Sequence, residues 1–312
     1  MTTEQIIQYL PSSHYVGFLR GASDGVSGTT HMATIKWEDG IERDSWVKIY
    51  AGDKPRSLVN EMIGYLLGIA LGLPMPPKAG FLLIENKILN PSLVNILSEV
   101  DKYRGFTFAW VTEDVKGSNL RIEIENNPSI MNVMIEYFSS CMKDWDQLSH
   151  LVAFDDWILN TDRNMGNSIH LPDKTFNLID HGECMHGGNW KEADLIDYDC
   201  AHIGFADNLH LKLLHEKHAS SGLFQHENTM RDLDLAKRKH QEAFMKVEAE
   251  IRLHLHDLIG DEIIETGIEE MPSYLALETV LGFLKDRADG IQKFSDRCDT
   301  FLSLKSIVRP MS

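Results

Sequence analysis

From Phe154 to Glu183 the chain reads FDDWILNTDRNMGNSIHLPDKTFNLIDHGE, and this stretch leaves few folds open. An apolar-periodic run ends near Leu159, so Asn160 to Gly166 is predicted as a loop. NSIHL and TFNLI are short β-type runs joined by Pro172-Asp173-Lys174, a turn-forming triplet. Closing that hairpin sets Leu171 opposite Thr175, and counting back along an antiparallel ladder puts Asn167 beside Ile179 and Asp180. Directly opposed side chains lie roughly 4.5–5.5 Å apart at Cβ, so an amide oxygen and a carboxylate converge at the hairpin's open end. Two such oxygens suit a hard cation such as Mg²⁺, which takes one or two protein ligands plus substrate phosphates. Asp162 falls in the loop at the same end, where it can face a hydroxyl while Asn167 and Asp180 hold metal. An aspartate, an asparagine five on, and a second aspartate after a hairpin is the layout of a phosphoryl-transfer site. The Asp–Asn spacing alone recurs by chance; the hairpin ending in Asp180-His181-Gly182 gives it weight.

Phosphoryl transfer also needs a cation on the nucleotide phosphates and a group that holds it. The first hundred residues alternate β-type runs with turns: His14 to Arg20, TTHMATIKW, the turn Glu38-Asp39-Gly40, then SWVKIY. Alternation puts Lys48 on the face opposite Val47 and Ile49. SLVNEMIGYLLGIALG then changes to helical period, with Ser57 as the expected N-cap, Gly72 as C′ and Pro74 forbidding continuation. Glu61 is the only charged residue from Glu61 to Leu73. A carboxylate on so apolar a helix is costly to bury unless paired, and Lys48 is its natural partner; otherwise Glu61 emerges at the helix edge. Gly21, Gly25 and Gly28 lie in a loop between two strands, which lets the backbone approach phosphates, though an ordinary hairpin loop explains them equally well. Phosphorylation of Ser23, Ser27, Thr29 or Thr30 there would repel a nucleotide's phosphates; solvated hydroxyls are the simpler account.

Two more strands are expected at Ala79 to Ile84 and Phe106 to Val111, after which TEDVKGS (Thr112 to Ser118) is polar and marks a lobe boundary. Beyond it the chain reads mainly helical, including Met131 to Asp144 and Gln147 to Leu159. The expected architecture is α+β and two-lobed: a small β-rich lobe with one helix over 1–111, a hinge over 112–118, and a helical lobe over 119–312. Thirty basic against 47 acidic residues give a formal charge of −17, which repels nucleic-acid backbones. No apolar run reaches the length of a membrane span, and MTTEQIIQYLPSS has neither a basic nor an apolar signal region. Cys141, Cys184, Cys200 and Cys298 lack paired spacing and read as thiols of a reducing cytoplasm. His181, Cys184 and His186 do not make a four-ligand zinc set.

NTDRNMGN followed by LIDHG resembles the catalytic and metal-binding segments of HipA-like kinases, and more distantly those of type II phosphatidylinositol 4-kinases. VKIY, then VNEMIGYLLGIALGLPMP, resembles the lysine strand and glutamate helix of the bacterial HipA-like group; ALETVLGFLKDRADGI resembles its C-terminal helix. The resemblance implies a protein-kinase-like fold that uses ATP and Mg²⁺, with Mn²⁺ as an alternative metal. It implies Asp162 as catalytic aspartate, Asn167 and Asp180 as metal ligands, Lys48 as the phosphate-contacting lysine and Glu61 as its partner. FAWVTEDV would be the strand and hinge whose backbone, around Thr112, Glu113 and Asp114, meets adenine. His181 stands where many protein kinases have an aromatic residue, and Asn164 where histidine is frequent. The expected activity is transfer of the ATP γ-phosphate to a hydroxyl acceptor, Ser/Thr of a protein, with autophosphorylation as one outcome. A nucleotide-binding pseudokinase, a lipid or small-molecule kinase, and a nucleotidyl transferase are the alternatives; lack of a cysteine-rich palmitoylation cluster weakens the lipid reading.

Overall fold

The computed structural model describes residues 6–22, 30–50, 54, 56–95, 97–196, 209–219, 224–260 and 273–307. Strands β1 (Ile7–Leu10), β2 (Tyr15–Gly21), β3 (Thr30–Lys36), β4 (Glu42–Ile49), β5 (Ala79–Glu85) and β6 (Phe106–Glu113) make one sheet in the order β1-β5-β6-β4-β3-β2. All neighbours are antiparallel except β1 and β5. The β3–β4 turn closes at Gly40, whose φ of 77° is the left-handed conformation that Asp-Gly predicts. Strand β1 was not anticipated: four residues in parallel pairing leave no hairpin signal.

Helix α1 (Ser57–Leu71) follows β4 and ends at Gly72, which takes φ 74° and donates its N–H to the last carbonyls. Its start differs from the expectation. Arg56 is the N-cap residue, with no side-chain cap, and Ser57 is already helical and buried. The Arg56 N–H instead donates to Gly188 O at 2.9 Å, so a tertiary contact fixes the entry in place of a local cap. Helices α2 (Pro91–Val94) and α3 (Glu99–Arg104), capped by Asn90 and Ser98, lie between β5 and β6.

After β6 come α4 (Leu120–Asn126), α5 (Met131–Asp144) and α6 (Leu148–Trp157), then the hairpin of β7 (Ser168–His170) and β8 (Phe176–Leu178). The chain continues through α7 (Glu192–Ile196), α8 (Leu209–Lys217), α9 (Gln225–Lys237), α10 (His240–Gly260), α11 (Ser273–Asp289) and α12 (Ile291–Ile307). Alternation sorts the sheet into two faces. Val47, Ile49, Ala109 and Val111 fill a core on one side, while Phe81 and Trp110 join α1 in a larger core on the other. That larger core runs without a break from Ile7 and α1 into α6, α10, α11 and α12. Helix α10 packs directly on α1, so α1 is covered on both sides and tolerates apolar residues all round. Cys141, Cys184 and Cys298 are buried free thiols; Cys200 lies outside the described residues. Among the described residues, no helix is long and apolar enough to cross a membrane.

Candidate active site

The β7–β8 hairpin has the register that the sequence implies. Leu171 N donates to Thr175 O at 2.9 Å, Ser168 pairs with Leu178, and Ile179 N donates to Asn167 O at 3.1 Å. Asn167 and Asp180 therefore meet at its open end. The Asn167 side-chain N–H donates to the Asp162 backbone carbonyl at 2.8 Å, as does that of Asn164 at 2.9 Å. These bonds fold the loop over the hairpin and bring Asp162, Asn167 and Asp180 together. They also consume only the nitrogen of the Asn167 amide, and among the described residues Oδ1 accepts no hydrogen bond. Arg163 is the hidden fastener. Its buried guanidinium donates to Asn167 O at 3.1 Å and Ile179 O at 3.0 Å, and pairs with Asp155 at 3.0 Å. Burial pushes the Asp155 carboxyl up to about 6, with Arg163 opposing the rise.

Asp180 has φ 64°, a left-handed conformation that aspartate tolerates at modest cost. That turn directs its carboxylate to Lys48, whose Nζ lies 2.8 Å from Asp180 Oδ1 and 2.6 Å from Glu61 Oε1. Burial disfavours the Lys48 charge, but Asp180 and Glu61 outweigh it and hold the ammonium protonated. Glu61 is 2 % exposed and held three ways: by Lys48, the Tyr50 hydroxyl at 2.6 Å, and the His181 backbone N–H at 3.0 Å, with the His181 ring nearby at 3.7 Å. Burial alone would raise the Glu61 carboxyl; Lys48 and His181 pull it well below the usual range. Tyr50 is pushed well above the normal phenol by burial and by the adjacent Glu61 charge, so it remains a donor.

Close packing makes this possible. A Cβ on Gly64 would stand 2.5 Å from His181 Cβ, and one on Gly182 would stand 2.6 Å from the Tyr50 hydroxyl. Glycine lets α1, and the Tyr50 side chain just beyond β4, come so near the Asp180–Gly182 turn. The His181 ring is buried and packs edge-on to Phe154 at 5.8 Å. Burial lowers its pKa, so the ring is neutral there.

Asp162 is exposed, and burial of its surroundings together with the Asp180 and Glu183 charges raises its carboxyl above the ordinary value. A single exposed carboxylate of raised basicity beside a two-oxygen set can accept a proton from a hydroxyl. Asn167 Oδ1 and the second Asp180 oxygen are too few for an all-protein cage. They match the one or two ligands by which Mg²⁺ is held alongside substrate phosphates. The donor set thus fits the implied metal, and the Lys48 ammonium fits a nucleotide's phosphates.

The remaining expected residues are less closely joined to this cluster. Thr112 pairs with both Ala79 and Trp46, and the N–H groups of Glu113 and Asp114 donate to Lys78 O and Asp44 O, each at 3.0 Å. Those two N–H groups are engaged within the protein. Gly21 ends β2, opposite His31, with open space around its Cα; Gly25 and Gly28 lie outside the described residues. Three contributors escaped the sequence reading: Arg163, Tyr50 and Asn60. Arg163 follows Asp162 directly, and Asn60 precedes Glu61, so each adjoins a residue that was singled out.

A strand lysine bridging a helix glutamate and a hairpin-end aspartate, with a loop aspartate and asparagine beside them, defines a two-lobed α+β fold of the protein-kinase-like class. No protein-family model matches the chain, and no curated protein sequence does. Among solved structures it is similar to the Helicobacter pylori proinflammatory kinase CtkA, with a TM-score of 0.47 and 11% identity, covering 96% of this chain and 99% of that one. It is also similar to a pseudokinase in its apo form, with a TM-score of 0.29 and 11% identity over 96% and 99% of the two chains. For the Leishmania major MAP kinase LmaMPK10 the TM-score is 0.28, with 11% identity over 94% and 84%. The resemblance to HipA-like kinases is one of sequence motifs alone.

Proposed function

We propose that this chain is an ATP- and Mg²⁺-dependent phosphotransferase of HipA-like type, moving the γ-phosphate to a hydroxyl, most simply a Ser/Thr of a protein. The observation that carries the reading is Lys48, part-buried and held between Glu61 and Asp180 at 2.6 and 2.8 Å. A purely structural ion pair needs one carboxylate. Two carboxylates on one lysine, one of them 41% exposed, describe a cation poised at a mouth to take further negative charge. In this reading residues 1–111 bind nucleotide phosphates, 112–118 form the hinge and 119–312 carry the catalytic loop and the acceptor site.

Mg²⁺, when bound, supplies charge neutralisation on the phosphate oxygens. Asn167 Oδ1 and Asp180 would hold it. Asp162 orients the acceptor hydroxyl and accepts its proton late, helped by its raised basicity. Lys48 stabilises the charge that develops on the leaving ADP, and Glu61 keeps Lys48 in place. The net charge of −17 favours an acceptor that is not itself strongly anionic.

Intact-mass measurement after incubation with ATP and Mg²⁺, together with ADP release on Ser/Thr peptides, tests this against Asp162→Ala. Phosphate gain or ADP release in the wild type, reduced by about 10²–10⁴ in the variant, is the expected result. An AMP-sized gain would replace it with nucleotidyl transfer. ATP binding without turnover on any acceptor would make the chain a pseudokinase. Asp180→Ala should weaken Mg²⁺-dependent nucleotide binding itself; unchanged affinity would remove Asp180 from the metal site.

A further inference from the structure

Asn60 is 0% exposed, one residue before Glu61 on α1. Its side-chain nitrogen lies 2.8 Å from Gly182 O, 2.8 Å from Cys184 O and 2.9 Å from Gly187 O. Its oxygen accepts the Trp190 indole N–H at 2.9 Å. The amide orientation is dictated by its partners: three carbonyls can only accept, and an indole N–H can only donate. With two hydrogens for three carbonyls at least one bond is shared, so the segment from Gly182 to Trp190 is wrapped around this one side chain.

Consecutive helical residues point about 100° apart. Asn60 and Glu61 therefore grip two different elements: Glu61 holds Lys48 and the His181 N–H, and Asn60 holds the stretch that leaves the Asp180 turn. Rotation or tilt of α1 would break both sets together. A second clasp acts at the helix entry. Arg56 stacks over the Trp190 ring at 4.7 Å and reaches Glu192 at 3.2 Å, while Lys54 meets Glu183 at 2.5 Å. Kinases commonly need a phosphorylated segment to hold the glutamate helix in place. Here an uncharged amide, inaccessible to solvent, ties it to the Gly182–Trp190 segment.

We infer that Asn60 is a positioning residue for phosphoryl transfer, locking α1 to the Gly182–Trp190 segment so that Lys48, Glu61 and Asp180 are assembled without a phosphorylation event. The inference rests on the proposed kinase reading. Asn60→Asp preserves size and the acceptor for Trp190 but turns a carboxylate oxygen toward three carbonyls. It should lower kcat by about 10²-fold, the scale of a displacement near 1 Å, with a much smaller change in KM for the peptide acceptor. Amide hydrogen exchange of Gly182–Trp190 and of the His181 N–H should rise, while exchange in the distant β2–β3 strands stays as in the wild type. Trp190→Phe, which removes the indole bond and shrinks the ring that Arg56 stacks on, should give a smaller effect of the same pattern. Wild-type protein expressed in bacteria and treated with phosphatase should retain full turnover.

Wild-type-like turnover and exchange in Asn60→Asp, or loss of turnover on phosphatase treatment, would overturn the inference. If Asn60→Asp fails to fold, Trp190→Phe decides by the same two readings. If the wild type transfers no phosphate, the kinase reading fails, and the exchange pattern alone then decides whether Asn60 positions the segment.

Discussion

The Arg163–Asp155 pair shows how much of this site depends on a single buried charge. Asp155 is 0% exposed, and its carboxyl titrates near 6 in the fold against 3.8 in the unfolded chain. A carboxyl raised by folding favours the folded state when protonated. Its contribution is present below pH 3.8 and lost as pH rises through about 6. Arg163 limits that loss. Arg163→Met should leave a buried carboxylate uncompensated, destabilising the protein at pH 7 by about 3–5 kcal/mol, and denaturant unfolding at pH 7 and pH 5 measures it. The deficit should shrink at pH 5, where Asp155 takes up a proton; a deficit equal at both pH values would mean that Arg163 acts through its carbonyl contacts alone. Lys237 provides the opposite sign. Burial lowers it to about 8 from 10.5, and its Nζ donates to the Arg287 carbonyl. Stability present above pH 10.5 is therefore lost as pH falls through 8. Lys237→Met should flatten that part of the pH–stability curve and be neutral to stabilising at pH 7, which thermal melts from pH 7 to 10.5 would show.

Among the elements, α1 shows what a sequence makes legible and what it hides. Its length, its glycine stop and the pairing of its one acidic residue follow from period, turn chemistry and the cost of burying a lone charge, all local quantities. The hairpin register was equally readable, because a three-residue turn leaves one way to count back to Asn167. Asn60 was not, since a polar residue on an amphipathic helix has no marker that distinguishes a solvent-facing amide from a buried one. The Ser57 cap failed for a related reason: Arg56 is anchored to Gly188, 132 residues away, and a distant contact overrode the local preference. Two glycines in helices test the difference. Gly282 in α11 has open space where a Cβ would go, so Gly282→Ala should stabilise by about 0.5–1 kcal/mol. Gly64→Ala faces His181 at 2.5 Å and should destabilise by about 1–3 kcal/mol. It should also weaken nucleotide binding by forcing the Glu61 turn of α1 away from Lys48 and the His181 N–H. Equal melting shifts for the two variants would show that α1 tolerates displacement and that the glycine is incidental.

For the molecule as a whole, the decisive feature is that the two lobes share one core. A sheet lobe and a helical lobe joined by a short hinge would ordinarily melt separately, since chains of this size often depart from two-state behaviour. Here Ile7, α1, Phe81 and Trp110 lie in the same uninterrupted apolar cluster as α10, α11 and α12. The Tyr9 hydroxyl on β1 also meets His254 Nδ1 on α10 at 2.8 Å. Removing the helical lobe would expose one whole side of α1, a helix with almost no polar surface of its own. Sheet and helices should therefore unfold in one transition, with calorimetric and van't Hoff enthalpies equal and with far-ultraviolet dichroism and tryptophan emission superimposing. Leu255→Ala makes the coupling specific. Leu255 is on α10 and 0% exposed, so truncation should cost about 2–5 kcal/mol. If the core is shared, that loss from a C-terminal helix must lower the melting of β3 and β4 by as much as that of α10. Hydrogen exchange resolves the two regions, because β3 and β4 lie toward the opposite edge of the sheet from β1, the strand whose Tyr9 meets α10. Protection of those strands unchanged in Leu255→Ala would mean that the sheet carries its own stability. Equal loss would mean that α10 sets the position of α1, and with it the Lys48–Glu61 pair, from across the molecule.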